Sequence, residues 1–209
     1  MNKLKPKKLE KGDTIAIIAL SGVVKSKDCI ERAKKRFEDD GYNVVLSKNI
    51  FSKNRYLAGS DEEKVEELHK FFADDNIKAI LCARGGYGLS RIIDKIDFSP
   101  LINTNRLVVG FSDITAIHNA LSNLGVKSLH APMAKHIAAE SDSIAVWELR
   151  KCLEGKPLHY TFKNIELNRK GIKPETIKSE PVNEETGWVT TEEGDDNIYS
   201  LKDLDKALK

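Results

Sequence analysis

Cysteine is scarce: Cys29, Cys82 and Cys152 are the only three in 209 residues. They are odd in number, far apart and outside any C-x-x-C pair, so neither a disulfide framework nor a zinc knuckle is expected. Long apolar runs are absent too, since none approaches the roughly 20 residues that a bilayer span requires. The basic start, Met1 to Lys8, leads into Leu9-Glu-Lys-Gly-Asp13 and not into an apolar segment, which argues against a secretory signal. A reducing, cytoplasmic setting is expected. No excess of charge stands out: 34 Lys and Arg meet 32 Asp and Glu, a net charge of +2. That balance projects no broad positive field, so neither nucleic acid nor a membrane is an expected partner. The five histidines show no H-E-x-x-H and no paired ligand spacing, and no phosphate or dinucleotide loop motif is present, so no metal and no other cofactor is expected.

What is present is an ordinary globular composition, 40% hydrophobic and 32% charged. Thr14-Ile-Ala-Ile-Ile-Ala19 is a continuous apolar run, as expected of a strand covered on both faces of a parallel sheet. Ile30, Ala33 and Phe37 recur at helical spacing between Lys27 and Asp40, with Gly41 as the stop and the charges of 31–40 as a solvated face. A short strand at Asn43–Leu46 follows. Ser60-Asp-Glu-Glu63 has the form of a capping box and opens a helix over 61–74. Lys78–Cys82 reads as a strand, followed by a glycine-rich loop and a helix carrying Leu89, Ile92 and Ile93. Arg106–Val109 is a further buried strand, turned by Gly110-Phe-Ser112 into a helix over 113–124. Lys127–Leu129 is a short strand, and Ser141 or Ser143 opens a last helix with Ile144, Trp147 and Leu149 inward. Such alternation predicts an α/β fold: a doubly wound, mostly parallel sheet flanked by helices, flavodoxin-like or Rossmann-like. After about residue 155 the apolar periodicity is lost. The expected division is an α/β domain over 1–155 and a small irregular remnant over 156–209, with 165–209 poorly packed.

Two loops follow the carboxyl ends of predicted strands, where open α/β sheets place ligands. In Val109-Gly-Phe-Ser-Asp113 a sharp strand-to-helix turn would lift the Ser112 hydroxyl above the sheet, with the Asp113 N–H at a helix start, the logic of a nucleophile elbow. The G-x-S-x-G pattern is incomplete, because Ile114 stands at the last glycine position. Serine is equally a preferred N-cap, and the local sequence supports both readings. In Arg84-Gly-Gly-Tyr-Gly88 the glycines allow backbone N–H groups to approach a ligand or oxyanion closely. Arg84 could pair with a substrate carboxylate or simply form a surface ion pair. His130, after the short strand, would line the same cleft, whereas His69 and His118 read as packing residues within helices.

Taken in order, Tyr56-Leu-Ala-Gly-Ser-Asp-Glu-Glu63, Ile77–Gly88, Asp94-Lys-Ile-Asp-Phe98, Val109-Gly-Phe-Ser-Asp-Ile-Thr115 and Leu129-His-Ala-Pro132 resemble the LD-carboxypeptidase family, which includes murein tetrapeptide carboxypeptidases and microcin-immunity peptidases. The likeness runs over about 8–170, from Gly12-Asp-Thr-Ile-Ala16 to Leu167-Asn-Arg169, with Leu20 in place of a common proline. The resemblance implies a cytoplasmic serine peptidase that hydrolyses the L,D-amide bond before a terminal D-alanine through an acyl-enzyme on Ser112. It further implies that the N–H groups of Asp113 and Gly86 form an oxyanion hole, and that Arg84, Gly85, Tyr87, Gly88 and His130 hold a small peptide substrate. A homodimer is implied as well. The family's triad glutamate and histidine come from a second domain after the Leu-Asn-Arg segment. Here the 40 residues beyond Arg169 contain no histidine, and Lys202, in Ile198-Tyr-Ser-Leu-Lys-Asp-Leu-Asp205, aligns with the glutamate. The expectation is therefore a truncated or degenerate C-terminal part, and the alternative to a peptidase is a peptide-binding relative without catalysis.

Overall fold

In the computed structural model the described residues are 8–102, 104, 106–139, 143–156 and 168–176. The chain divides into two units, 1–158 and 159–209. The first contains five parallel strands: β1 (Thr14–Ile18), β2 (Asn43–Leu46), β3 (Ile77–Cys82), β4 (Leu107–Gly110) and β5 (Leu129–His130). They lie in the order β2-β1-β3-β4-β5. This is the expected doubly wound α/β fold, with its order reversing between β1 and β3.

Helices cover both faces of the sheet, which is why the strands are apolar without alternation. Ile15, Ile17, Ala79, Leu81, Leu107 and Val109 face one layer. That layer holds α1 (Lys27–Asp39), α5 (Ala134–Ala139) and α6 (Ile144–Leu153). Ala16, Ile18, Ile80, Cys82 and Val108 face the other, against α2 (Asp61–Ala73), α3 (Ser99–Ile102) and α4 (Thr115–Asn123). Each large aliphatic or aromatic side chain so buried contributes about 1.5–3 kcal/mol relative to exposure.

The helix starts follow local chemistry. Ser26 caps α1 by accepting from Cys29 N, and Ser143 rather than Ser141 caps α6. The capping box of α2 is complete: Glu63 N donates to Ser60 Oγ (3.1 Å) and Ser60 N to Glu63 Oε2 (2.8 Å).

Three expectations are corrected, and one helix was not foreseen. Beyond the glycine loop the chain forms two 3-10 turns, Leu89–Arg91 and Ile93–Lys95, in place of a helix. Leu89 N is drawn to the Asp113 carboxylate, and Leu89, Ile92 and Ile96 still reach the core. Helix α5 lacked a sequence signal, being six residues long with no polar cap. The inward face of α6 is Val146, Leu149 and Leu153, while Ile144 and Trp147 are only half-buried. Asp40, expected in a solvated charged face, accepts from Arg150 Nε at 2.7 Å and ties the end of α1 to α6.

In the second unit, Gly171 N donates to Asn168 O (2.9 Å) and Asn168 Nδ2 to Ile172 O (3.1 Å), ahead of one 3-10 turn at Pro174–Thr176. The alignment of Lys202 and most of the segment expected to be poorly packed lie outside the described residues.

Candidate active site

Three loops leave the carboxyl ends of neighbouring strands at the point where the strand order reverses: Ser21-Gly-Val23 after β1, Ala83–Gly88 after β3 and Phe111–Asp113 after β4. Ser112 lies exposed in the last of them with φ at 63°, a left-handed conformation that L side chains rarely adopt. Such a residue costs about 1–3 kcal/mol and persists only where its surroundings impose it. Ser112 is not an N-cap. Phe111 occupies that position without a side-chain cap bond, and Ser112 opens the 3-10 turn Ser112–Ile114 that leads into α4. The cap reading is thereby corrected, and Ser112 sits in a left-handed strand-to-helix turn. Ile114 at the missing glycine position is fully buried and packs on Gly110, where an added methyl group would stand 2.9 Å from Ile114 Cγ2.

The glycine loop meets this elbow directly. A methyl group on Gly85 would stand 3.0 Å from Ser112 Cβ and 3.1 Å from Ser112 Oγ, so Gly85 lies directly against the serine side chain. Gly86, at φ 146°, is pressed against Gly22, whose N would lie 2.9 Å from a Gly86 side chain. Arg84 braces this contact. Its Nε donates to Gly85 O (3.0 Å) and its Nη1 to Val23 O (3.1 Å), which corrects the surface ion-pair reading: the half-buried guanidinium is spent on backbone carbonyls. Gly88 packs under Leu57, and Tyr87 (55% exposed) stands beside Tyr56 (58% exposed), ring centroids 6.2 Å apart.

Several supports carried no sequence signal. The Asp113 carboxylate accepts from Leu89 N at 3.1 Å and joins elbow to glycine loop. Lys64, on the first turn of α2, is only 2% exposed, its Nζ 3.0 Å from Asp61 Oδ1. Arg91 takes the same carboxylate at 2.9 Å. The Arg91 hydrogen bond, with help from Lys64 and against burial, holds the Asp61 carboxyl below the usual carboxylate range. A charged lysine inside a helix start is found only where a carboxylate meets it, and that partnership is invisible to hydropathy patterning.

The histidines divide by role. His130 ends β5 opposite Gly110 in the parallel register, its ring 5.9 Å from that of Phe111, which places it beside the elbow. The His136 ring lies 4.9 Å from Phe111. His118 is half-buried and bonded to Gly110 O and Ser128 Oγ; burial, first, pushes its pKa down. His69 accepts from Asp97 N at 2.9 Å and serves packing. Among the described residues none hydrogen-bonds Ser112 Oγ, and no group of three His, Cys, Asp or Glu gathers to hold a metal. Burial pushes the Cys82 thiol up to about 12, so it carries no nucleophile. No helix among the described residues is long and apolar enough to cross a membrane.

Comparison with known proteins matches the family described as "LD-carboxypeptidase N-terminal domain" over residues 15–131. The protein named "Probable murein peptide carboxypeptidase" of Bacillus subtilis is 42% identical over 130 residues, which cover 62% of this chain and 40% of the relative. The "Murein tetrapeptide carboxypeptidase" of Pseudomonas aeruginosa is 32% identical over 121 residues, 57% of this chain and 39% of the relative. The match thus spans less than half the length of either. A solved MccF-like protein from Bacillus anthracis superposes with a TM-score of 0.65 at 29% identity, over 71% of this chain and 46% of that one.

Proposed function

The chain belongs to the LD-carboxypeptidase family through its N-terminal domain, and on that premise we propose that Ser112 is the nucleophile of a serine carboxypeptidase acting on murein-type peptides in the cytoplasm. Ser112 Oγ attacks the carbonyl carbon of an L,D-amide bond as a base takes its proton. The oxyanion of the tetrahedral intermediate is met by the N–H groups of Asp113, at a helix start, and Gly86. Donors of this kind are worth about 3–4 kcal/mol each. The C–N bond then breaks, D-alanine leaves with a proton on its amine, and water hydrolyses the acyl-enzyme. Tyr87 and His130, on either side of the elbow, line the substrate's approach, while Arg84, Gly85 and Gly88 shape the loop that receives it. Among the described residues none hydrogen-bonds the Ser112 hydroxyl as a base would. The resemblance assigns the base pair, a histidine oriented by a glutamate, to the family's second domain.

The observation that carries this reading is the left-handed Ser112 packed against Gly85 of the glycine loop. A capping serine needs no strain, whereas a nucleophile lifted clear of a sheet does. The names of the similar proteins supply the substrate class. The test is release of D-alanine from an L,D-linked murein tetrapeptide by the full-length protein and by Ser112→Ala. Release by the wild type alone is expected; background release by both, together with no fluorophosphonate labelling of the wild type at Ser112, would refute the assignment.

A further inference from the structure

Behind the elbow stands an imidazole that the proposed chemistry does not use. His118 lies on α4, with Nε2 2.8 Å from Gly110 O and Nδ1 2.8 Å from Ser128 Oγ. A carbonyl oxygen only accepts, so Nε2 carries the proton; Nδ1 is then an acceptor, and the Ser128 hydroxyl donates to it. The tautomer is set by its two partners. Gly110 O also accepts from Ala131 N at 3.1 Å, so the last carbonyl of β4 is held from the β5 side and from α4 at once. From that carbonyl the chain turns through Phe111 into Ser112 at φ 63°. A left-handed serine relaxes unless the peptide units around it are fixed, and the His118 bond fixes the one at the strand's end.

Building on the assignment of Ser112 as nucleophile, we propose that His118, oriented by Ser128, is a positioning residue that clamps the Gly110 carbonyl and thereby holds the Ser112 hydroxyl and the Asp113 N–H in attacking geometry. The imidazole touches no reacting atom. It closes the strand–elbow–helix unit, so that the reactive turn is gripped from behind while its front stays open. The ionisable group facing it is His130, 5.9 Å away between ring centroids.

The test compares His118→Leu, His118→Gln and Ser128→Ala in the full-length protein, reading the rate at which a fluorophosphonate modifies Ser112 together with kcat, KM and thermal unfolding. His118→Leu keeps apolar volume without a donor; labelling and kcat are expected to fall about 10- to 100-fold with KM little changed, the scale of a small misplacement of reacting groups. His118→Gln, whose amide N–H can reach Gly110 O, should recover most of the loss. Ser128→Ala frees the ring to turn and should slow labelling several-fold at unchanged Tm. The nitrogen NMR shifts of His118 should report a neutral ring protonated at Nε2. Labelling at the wild-type rate in His118→Leu with only a lowered Tm would overturn the clamp, as would a ring protonated at Nδ1. If His118→Leu does not fold, a wild-type labelling rate in Ser128→Ala overturns it instead. A wild type that is not labelled at Ser112 sinks the nucleophile assignment and the clamp together, whereas a labelled wild type with equally labelled variants sinks the clamp alone.

Discussion

Gly85 and Ser112 meet with no room between them: the hydrogen that serves as the Gly85 side chain points at the Ser112 side chain, and any larger group would stand 3.0 Å from its Cβ. The backbone of Gly85 is not left-handed, so alanine there brings no conformational strain, only bulk. Gly85→Ala should unfold within about 1 kcal/mol of wild type yet lose at least about tenfold in fluorophosphonate labelling, because the hydroxyl must move. Normal labelling would show that the loop yields freely.

The strain at Ser112 gives a prediction of opposite sign. Ser112→Gly removes the Cβ that disfavours φ 63°, whereas Ser112→Ala keeps it. The glycine variant should be more stable than the alanine variant by about 1 kcal/mol, or roughly 2–4 °C in Tm, with both inactive. Equal melting temperatures would mean that the elbow is not strained.

Asp61 carries the buried Lys64 and the exposed Arg91. Because its folded pKa lies below the ordinary value of 3.8, its stabilisation is complete above that pH and fades as pH falls through the lower folded value. Asp61→Asn leaves Lys64 buried without a carboxylate and should cost about 3–5 kcal/mol at pH 7 by urea unfolding. It should also flatten the acid limb of stability below about pH 4. A variant as stable as wild type would show that Lys64 finds another partner.

His118 acts in a different window. Burial lowers its folded pKa beneath 6.5, so the unfolded chain takes up the proton first, and this residue makes stability fall as pH drops below about 6.5 toward the folded value. The difference between wild type and His118→Leu in unfolding free energy should therefore shrink over that range. A constant difference from pH 7 to 5 would contradict the shift.

Much of this molecule was legible in one dimension. The apolar runs at 14–19 and 107–109 announced strands covered on both faces, and Ser60-Asp-Glu-Glu63 announced its helix, since hydropathy period and cap chemistry act within a few residues of chain. Both loops of the site could be placed because each follows such a strand. Their meeting could not. The closeness of Gly85 to Ser112, the turning of Arg84 onto Val23 O, the burial of Lys64 on Asp61 beside Arg91 and the hold of His118 on Gly110 all depend on parts that only the folded sheet brings together.

The same division separates the two readings of Ser112. Its type and its place before a helix, both readable along the chain, suit a cap and a nucleophile equally. The sign of φ was decided by tertiary structure, because a left-handed residue costs energy that no neighbour in sequence repays. Gly85 packed on the hydroxyl and the hydrogen bond from Leu89 N to the Asp113 carboxylate, both from the loop after β3, hold it there.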